Sequence, residues 1–572
     1  MTESSYILSP FVTFIESHLH PDPSRYAVFH RLTGQLVELW PTVRSLLQAA
    51  KLGSTLSLKV EDLSQLGEEG RQIRRLIDEE FFIPNDHDVL SSLVDHYVVR
   101  PMQNPAVTYR SESGEVLLVS IKMAERIFSP ESQRLPPVVE EKMSPLANEL
   151  FLAADGTRTL RQIYATFQRE NEPLLEDQEF RLAIEFLTAP ERQLVKFTPT
   201  VEHSLDPFQP ANIVPRNFYH ASRWTQHDAG RSIADFHIQG IDDAIWEFDM
   251  VEPTVNHALR FPTELLGGVD YGSCFCDAVL KWGVLPARSS DAALEILEVG
   301  GGTGSFARSF IARAHANFGE LSYQVMDLSP ALAENQRRIL GDVRPAVGYI
   351  AQDATQFELP GQKFDLIIAN EVIADFPVAT VERRSTEKDA GQFAGEGAVY
   401  LKKYGLSMAD APERFYVNAG VFRFLERVWM HLAPGGALIV SEYGSQSRYP
   451  TEAFHLNHSE FSIHFGHVTE CARKIGFHCR LETLKDFLGI DDRTLVLNGR
   501  EEHIRCLNHV FEKYGMILPF ALFSERDFKA RFSDLPARIH LDPVRFLPLS
   551  SKFHYGPNID DFLVLIMNKP SM

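Results

Sequence analysis

The run Leu294-Glu-Ile-Leu-Glu-Val-Gly-Gly-Gly-Thr-Gly-Ser-Phe-Ala-Arg308 sets Gly300, Gly302 and Gly304 between an apolar segment and a helix-like repeat. Glycine at such a point lets backbone pass close to a ligand, and the unpaired N–H groups at the helix start favour a carboxylate or phosphate. The chemistry this spacing implies is binding of a nucleotide-type cofactor. Polar residues then recur at the ends of successive apolar segments. Asp327 closes Leu321-Ser-Tyr-Gln-Val-Met, Asp353 lies in Ala351-Gln-Asp-Ala-Thr355, and Asn370 with Glu371 follow Phe364-Asp-Leu-Ile-Ile-Ala. Asp327 stands at roughly the ~20-residue offset at which a carboxylate grips a ribose diol. The elements that must position these groups are strands alternating with helices, which predicts a doubly wound, Rossmann-like α/β domain.

Glycine spacing alone leaves two cofactors open, because Gly302-x-Gly304-x-x-Ala307 also fits a dinucleotide fingerprint. The loop Glu298-x-Gly300-x-Gly302-x-Gly304 resembles that of class I S-adenosylmethionine (SAM) methyltransferases, and the likeness continues through Asp327, Asp353 and Leu432-Ala-Pro-Gly-Gly-Ala-Leu-Ile-Val-Ser-Glu442. The resemblance implies SAM as cofactor, with Glu298 fixing the loop, Asp327 holding the ribose and Asp353 at the adenine edge.

Further stretches resemble the MidA-like methyltransferases: Ser329-Pro-Ala-Leu-Ala-Glu-Asn-Gln336, Ala369-Asn-Glu-Val-Ile-Ala-Asp-Phe-Pro-Val378, Glu442-Tyr-Gly444, Phe465-Gly-His-Val468 and Leu484-Lys-Asp-Phe-Leu-Gly-Ile490. That family includes the mitochondrial complex I assembly factor that methylates an arginine of another protein. The likeness runs from about Phe218 to the C-terminus and implies a protein or peptide substrate with arginine as the preferred acceptor. Ala374 stands where the family's aspartate would be, and Asp375 follows one residue later. On this reading Asn370, Glu371, Asp375, Glu442 and His467 serve the acceptor. Glu371 with Asp375 or Glu442 would clamp a guanidinium by charge-assisted bonds.

The formal charge of −21 over 572 residues disfavours nucleic acid, which is bound by neutralising phosphates with Lys and Arg. No run of about 20 apolar residues predicts a membrane span, and the Met1-Thr-Glu-Ser-Ser-Tyr6 start lacks a secretion signal, so a cytoplasmic protein is expected. The cysteines Cys274, Cys276, Cys471, Cys479 and Cys506 form neither a disulfide framework nor a paired zinc pattern. His458, His464 and His467 cluster, but their spacing fits no metal motif and no metal is expected.

The N-terminal half holds two weakly similar units, taken as 1–100 and 101–200. In the first, residues 26–39 alternate like two strands around Thr33-Gly34, with helical runs and a returning edge at Glu79-Glu-Phe-Phe-Ile-Pro84. In the second, the pattern predicts helices at 143–151, 161–167 and 180–187 and a strand at 194–197. This order resembles the PqqD-like winged-helix domains that bind leader peptides, which implies recruitment of a peptide by an exposed strand edge. An acidic segment between Lys142 and Lys196 argues against DNA for the same fold.

Residues 201–250 read as linker and approach segment, and 251–572 as the catalytic domain with a lid inserted at about 379–418. Two other functions stay open on these residues. One is an O- or N-methyltransferase for a small metabolite with a front half that forms a homodimer; the other is a non-catalytic assembly factor that keeps the fold.

Overall fold

The computed structural model describes residues 4–15, 26–33, 35–39, 43–47, 56–58, 67–78, 81–84, 94–95, 97–101, 106–111, 113–121, 138–167, 178–189, 192, 194–199, 254–285, 293–383, 393–408, 411–455, 458–497, 501–519, 521–533, 541–542, 546–550 and 559–571. The chain divides into two compact units, one of 1–228, 499–518 and 533–544, the other of 229–498, 519–532 and 545–572. The linker read at 201–250 lies outside the described residues.

The second unit is built on one sheet of mostly parallel strands. Its members are β1 (Leu294–Val299), β2 (Leu321–Met326), β3 (Gly348–Ile350), β4 (Phe364–Asn370), β5 (Leu432–Ser445), β6 (His478–Thr483) and β7 (Phe562–Asn568), in the order β3-β2-β1-β4-β5-β7-β6. The first five run parallel, and β7 is antiparallel to both β5 and β6. Chain order reverses between β1 and β4, which makes their carboxyl ends the switch point where open α/β sheets bind ligands.

The helices that matter here are α1 (Val255–Ala258), α2 (Tyr271–Lys281), α3 (Ser305–Phe318), α4 (Pro330–Leu340), α5 (Ala419–His431) and α6 (Phe465–Ile475). Their starts follow capping chemistry. The side chains of Asp270 and Ser329 accept from Ser273 N–H and Leu332 N–H, and Pro330 occupies the first turn of α4. Helices on both faces explain the almost unbroken apolar strands. Leu297, Val299, Ile367, Ala369, Leu438, Val440, Leu565 and Met567 line one core, while Phe306 and Phe310 of α3 pack with Tyr271, Phe275 and Tyr323.

The stretch read as a lid at 379–418 is folded where it is described. Strands Ala379–Arg383, Phe393–Ala394 and Arg414–Val417 pair antiparallel, followed in part by helix Ala398–Tyr404. Val381, Leu401, Tyr404, Phe415 and Val417 are buried in the same core as β4 and β5. Close approach is built into it, because a Cβ on Gly397 would lie 2.4 Å from Val381 Cγ2.

In the first unit, hairpin Tyr26–His30 and Gln35–Leu39 forms around the turn, and Phe82–Pro84 returns to pair with Ser4–Leu8, a strand the sequence pattern did not mark. Helices Pro145–Ala153, Leu160–Thr166 and Gln178–Thr188 and strand Val195–Pro199, which pairs with Tyr97–Pro101, follow the expected element order. Beside them lies an antiparallel sheet of Ala106–Arg110, Val116–Ile121 and Val138–Lys142.

The domain span read as 251–572 differs from this division, because two of its pieces pack with the N-terminal half. Strand Leu541–Asp542 pairs with Thr108 and Tyr109, and helix Glu501–Phe511 buries Leu507, Val510 and Phe511 in that unit. Just past that helix, Lys513 Nζ donates to Tyr109 Oη at 2.7 Å and pairs with Glu140. A short amphipathic helix announces that it needs an apolar face, not which one, so sequence patterning could not assign it.

Candidate functional site

The glycine loop turns as its composition demands. Gly300, Gly302 and Gly304 have φ of 72°, 50° and 87°, a region that side chains rarely tolerate. A Cβ on Gly300 would lie 2.4 Å from Val372 Cγ2. Gly304 stands as N-cap of α3 without a side-chain cap, leaving that helix's first N–H groups at the loop.

Gln336 of α4, which no role in the sequence reading anticipated, ties the loop to β2. Its Nε2 donates to the Gly302 carbonyl at 3.0 Å and to Asp327 Oδ2 at 2.7 Å, while Ser329 N–H donates to Asp327 Oδ1 at 2.9 Å. Gln336 was detectable as a polar residue on the buried stripe of its helix, four residues from both Leu332 and Leu340.

Glu298, at the end of β1, is 2% exposed and accepts from Tyr323 Oη at 3.0 Å. Burial, with a smaller push from the Asp327 charge, raises its pKa to about 8. Asp353 turns inward on its own loop. It accepts from Thr355 N–H and Oγ1, each at 2.8 Å, and from Gln356 Nε2 at 2.7 Å. Burial opposes its ionisation, but those donors prevail and hold the carboxyl below its usual range.

At the end of β4 the chain makes a costly turn. Glu371 has φ 52°, a left-handed conformation unusual for a non-glycine residue. The turn brings both carboxylate oxygens onto the start of α1: Oε2 accepts from Val255 N–H at 2.7 Å and Oε1 from Asn256 N–H at 2.9 Å. Asn370 Nδ2 donates to the same Oε1 at 3.2 Å, and Tyr271 Oη donates to Asn370 Oδ1 at 2.8 Å. Burial raises Glu371 to about 7 against the pull of these donors, and the Glu460 charge adds to the rise.

Glu442 on β5 is 3% exposed and accepts from Ala374 N–H at 3.3 Å and Tyr443 N–H at 2.9 Å. Burial holds it well above the usual carboxylate range, and the charges of Glu371, Glu460 and Asp375 push the same way. Glu460, in the strand His458–Phe461, is buried and belongs to this acidic group; alternation in a short strand gave no signal for it.

Glu298, Gly300, Gly302, Asn370 and Glu371 line one small cavity of about 50 Å³, closed on another side by Thr254, Asn256 and His257. Asp327 joins the loop through Gln336, whereas Asp353 is not among the lining groups. His467 stands apart. Its ring stacks on His464 at 3.8 Å, its Nε2 contacts the Ser407 carbonyl at 2.7 Å, and burial lowers its pKa.

The residues fit SAM on the chain's own terms. Gly300, Gly301 and Gly302 line the cavity with no side chain in the way, uncapped N–H groups open α3, and a carboxylate positioned on two sides closes β2.

Residues 278–464 match the family described as "Putative S-adenosyl-L-methionine-dependent methyltransferase". No curated protein matches. Among solved structures, a Burkholderia thailandensis protein bound to S-adenosyl-homocysteine is 18% identical, covering 54% of this chain and 82% of its own, with TM-score 0.30. A phosphoethanolamine N-methyltransferase 2 of Haemonchus contortus bound to S-adenosyl-L-methionine is 16% identical, covering 58% and 61%, with TM-score 0.27. The family match spans β1, the glycine loop and β4, and with it the chain is a SAM-dependent methyltransferase.

Proposed function

We propose that the protein methylates a cationic side chain of a protein or peptide, with arginine as the preferred acceptor. The observation that carries this reading is the acidic group of Glu371 and Asp375 after β4, Glu442 on β5 and Glu460 in the strand His458–Phe461. Burial first, and then the Glu460 charge at Glu371 and the Glu371, Glu460 and Asp375 charges at Glu442, hold those two carboxyls up, so an incoming cation would relieve them.

When bound, SAM supplies a methyl group already activated on a positively charged sulfur. Gly300, Gly302 and Gly304 would admit it closely, and Asp327, steadied by Gln336 and Ser329, would accept from the ribose hydroxyls. Glu442 with Asp375 and Glu460 orients the acceptor cation. Glu371, titrating near neutrality, is matched to take the proton that the nitrogen loses. Its hold on Val255 and Asn256 also closes the site. A cavity of about 50 Å³ is below the ~300 Å³ at which ligand pockets begin, so α1 must shift for entry. In the same reading the three helices and strand of residues 145–199 recruit the peptide as a winged helix.

The test is transfer of radiolabelled methyl from SAM to proteins of a cell extract, followed by acid hydrolysis. Methylarginine in the hydrolysate, lost at least 100-fold in Glu442→Gln with SAM affinity retained, is the expected result. Label confined to small molecules overturns the acceptor assignment.

A further inference from the structure

Away from the cofactor loop, the second unit carries a larger cavity of about 590 Å³, inside the range of small-molecule pockets. The inserted helix Ala398–Tyr404 forms one wall with Lys403 and Tyr404, α5 another with Arg427, Trp429 and Met430, and the end of α6 a third with Lys474 and Ile475.

Its composition is two-sided. Trp429, Met430 and Ile475 supply apolar surface with the buried Tyr404 ring behind them, and Met430 is 45% exposed. Around them stand Lys403, Arg427 and Lys474 against one lining acid, Glu426. Glu426 is already paired with Lys403 at 2.6 Å, and Arg427 reaches the exposed Glu358 at 3.0 Å. Among the described residues no carboxylate pairs with Lys474. Lys569 adds a further cation over the Trp429 ring, 4.8 Å from its centre. In a chain of net charge −21, such a local surplus of positive charge beside partly exposed apolar surface marks a site for the opposite charge.

We propose that this cavity binds a small organic anion with a flat apolar body, such as an aromatic carboxylate or sulfonate. The body lies against Trp429, Met430 and Ile475, and the anionic group meets Lys474 and Arg427. The inserted helix creates the wall that makes the cavity, so the insertion serves binding here as well as packing.

The probe is 1-anilinonaphthalene-8-sulfonate, titrated into the full-length protein and followed by its fluorescence. A saturable site is expected whose affinity falls at least tenfold in Lys474→Glu, with SAM affinity unchanged. Lys402→Glu alters the charge of the same helix without lining the cavity and leaves probe affinity within twofold. Absence of a saturable site, an unchanged affinity in Lys474→Glu, or an equal loss in both variants overturns the proposal.

Discussion

The side-chain nitrogen of Gln336 donates both to the Gly302 carbonyl and to Asp327 Oδ2, so one residue sets the distance between the glycine loop and the carboxylate that follows β2. Gln336→Ala removes both bonds, one of them to a charged group. The loss of about 1–3 kcal/mol corresponds to SAM binding weakened by roughly 5- to 150-fold, measured by calorimetry. Affinity within twofold of the parent shows that the loop holds its shape without Gln336.

Gly300 faces two obstacles to substitution, and they can be separated. Gly300→Ala drives a Cβ to 2.4 Å from Val372 Cγ2 and strains a residue at φ 72°. SAM binding should be lost. Because the Val372 Cβ alone would lie 2.7 Å away, only Val372→Gly removes the clash, and it leaves the strain, so that double variant recovers part of the affinity. Full recovery means that sterics alone keep glycine there.

Glu371→Gln is close in shape yet replaces one acceptor with a donor. Val255 N–H and Asn256 N–H cannot then both be satisfied, at a cost of about 1–3 kcal/mol. Amide hydrogen exchange at those two residues should speed up about 10- to 100-fold while β1 and β4 keep their protection. Unchanged exchange rules out Glu371 as the hold on α1.

Glu298 has a folded pKa raised to about 8 from an ordinary 4.5. A raised pKa means that the folded state keeps a proton the unfolded chain has released. The stabilisation is complete below about 4.5 and declines as pH rises through about 8. Glu298→Gln stays neutral and can still accept from Tyr323. Its melting temperature relative to the parent should therefore climb between pH 5 and pH 8. A constant difference across that range means that Glu298 is ionised in the native protein.

The sequence made the cofactor half legible because its signals are local. Glycines at 300, 302 and 304 and apolar runs ending at Asp327 and Asn370 lie within single strand-loop-helix units, and β1, β2, β4 and α3 follow. Glu371 illustrates the limit. Its type and place at a strand end were readable, but its partners Val255 and Asn256 lie more than 100 residues earlier, and nothing local records that both oxygens are engaged. Glu460 was invisible for the same reason, as its significance comes from Glu371 and Glu442 on other strands. The 379–418 insertion looked like a lid because loops this long are seldom structural; the buried Val381, Leu401 and Phe415 show it packed.

The pairing of Leu541–Asp542 with Ala106–Arg110 has a consequence for biosynthesis. On a ribosome adding about 5–20 residues per second, Tyr109 emerges tens of seconds before its partner Leu541 exists. Through that interval the strand keeps an unpaired edge, the kind of surface that recruits neighbouring nascent chains. The N-terminal half therefore completes this sheet only after Leu541 has been made, and a chain that stops before Glu501 would leave that edge open and would also lack β7, the strand that joins β5 to β6.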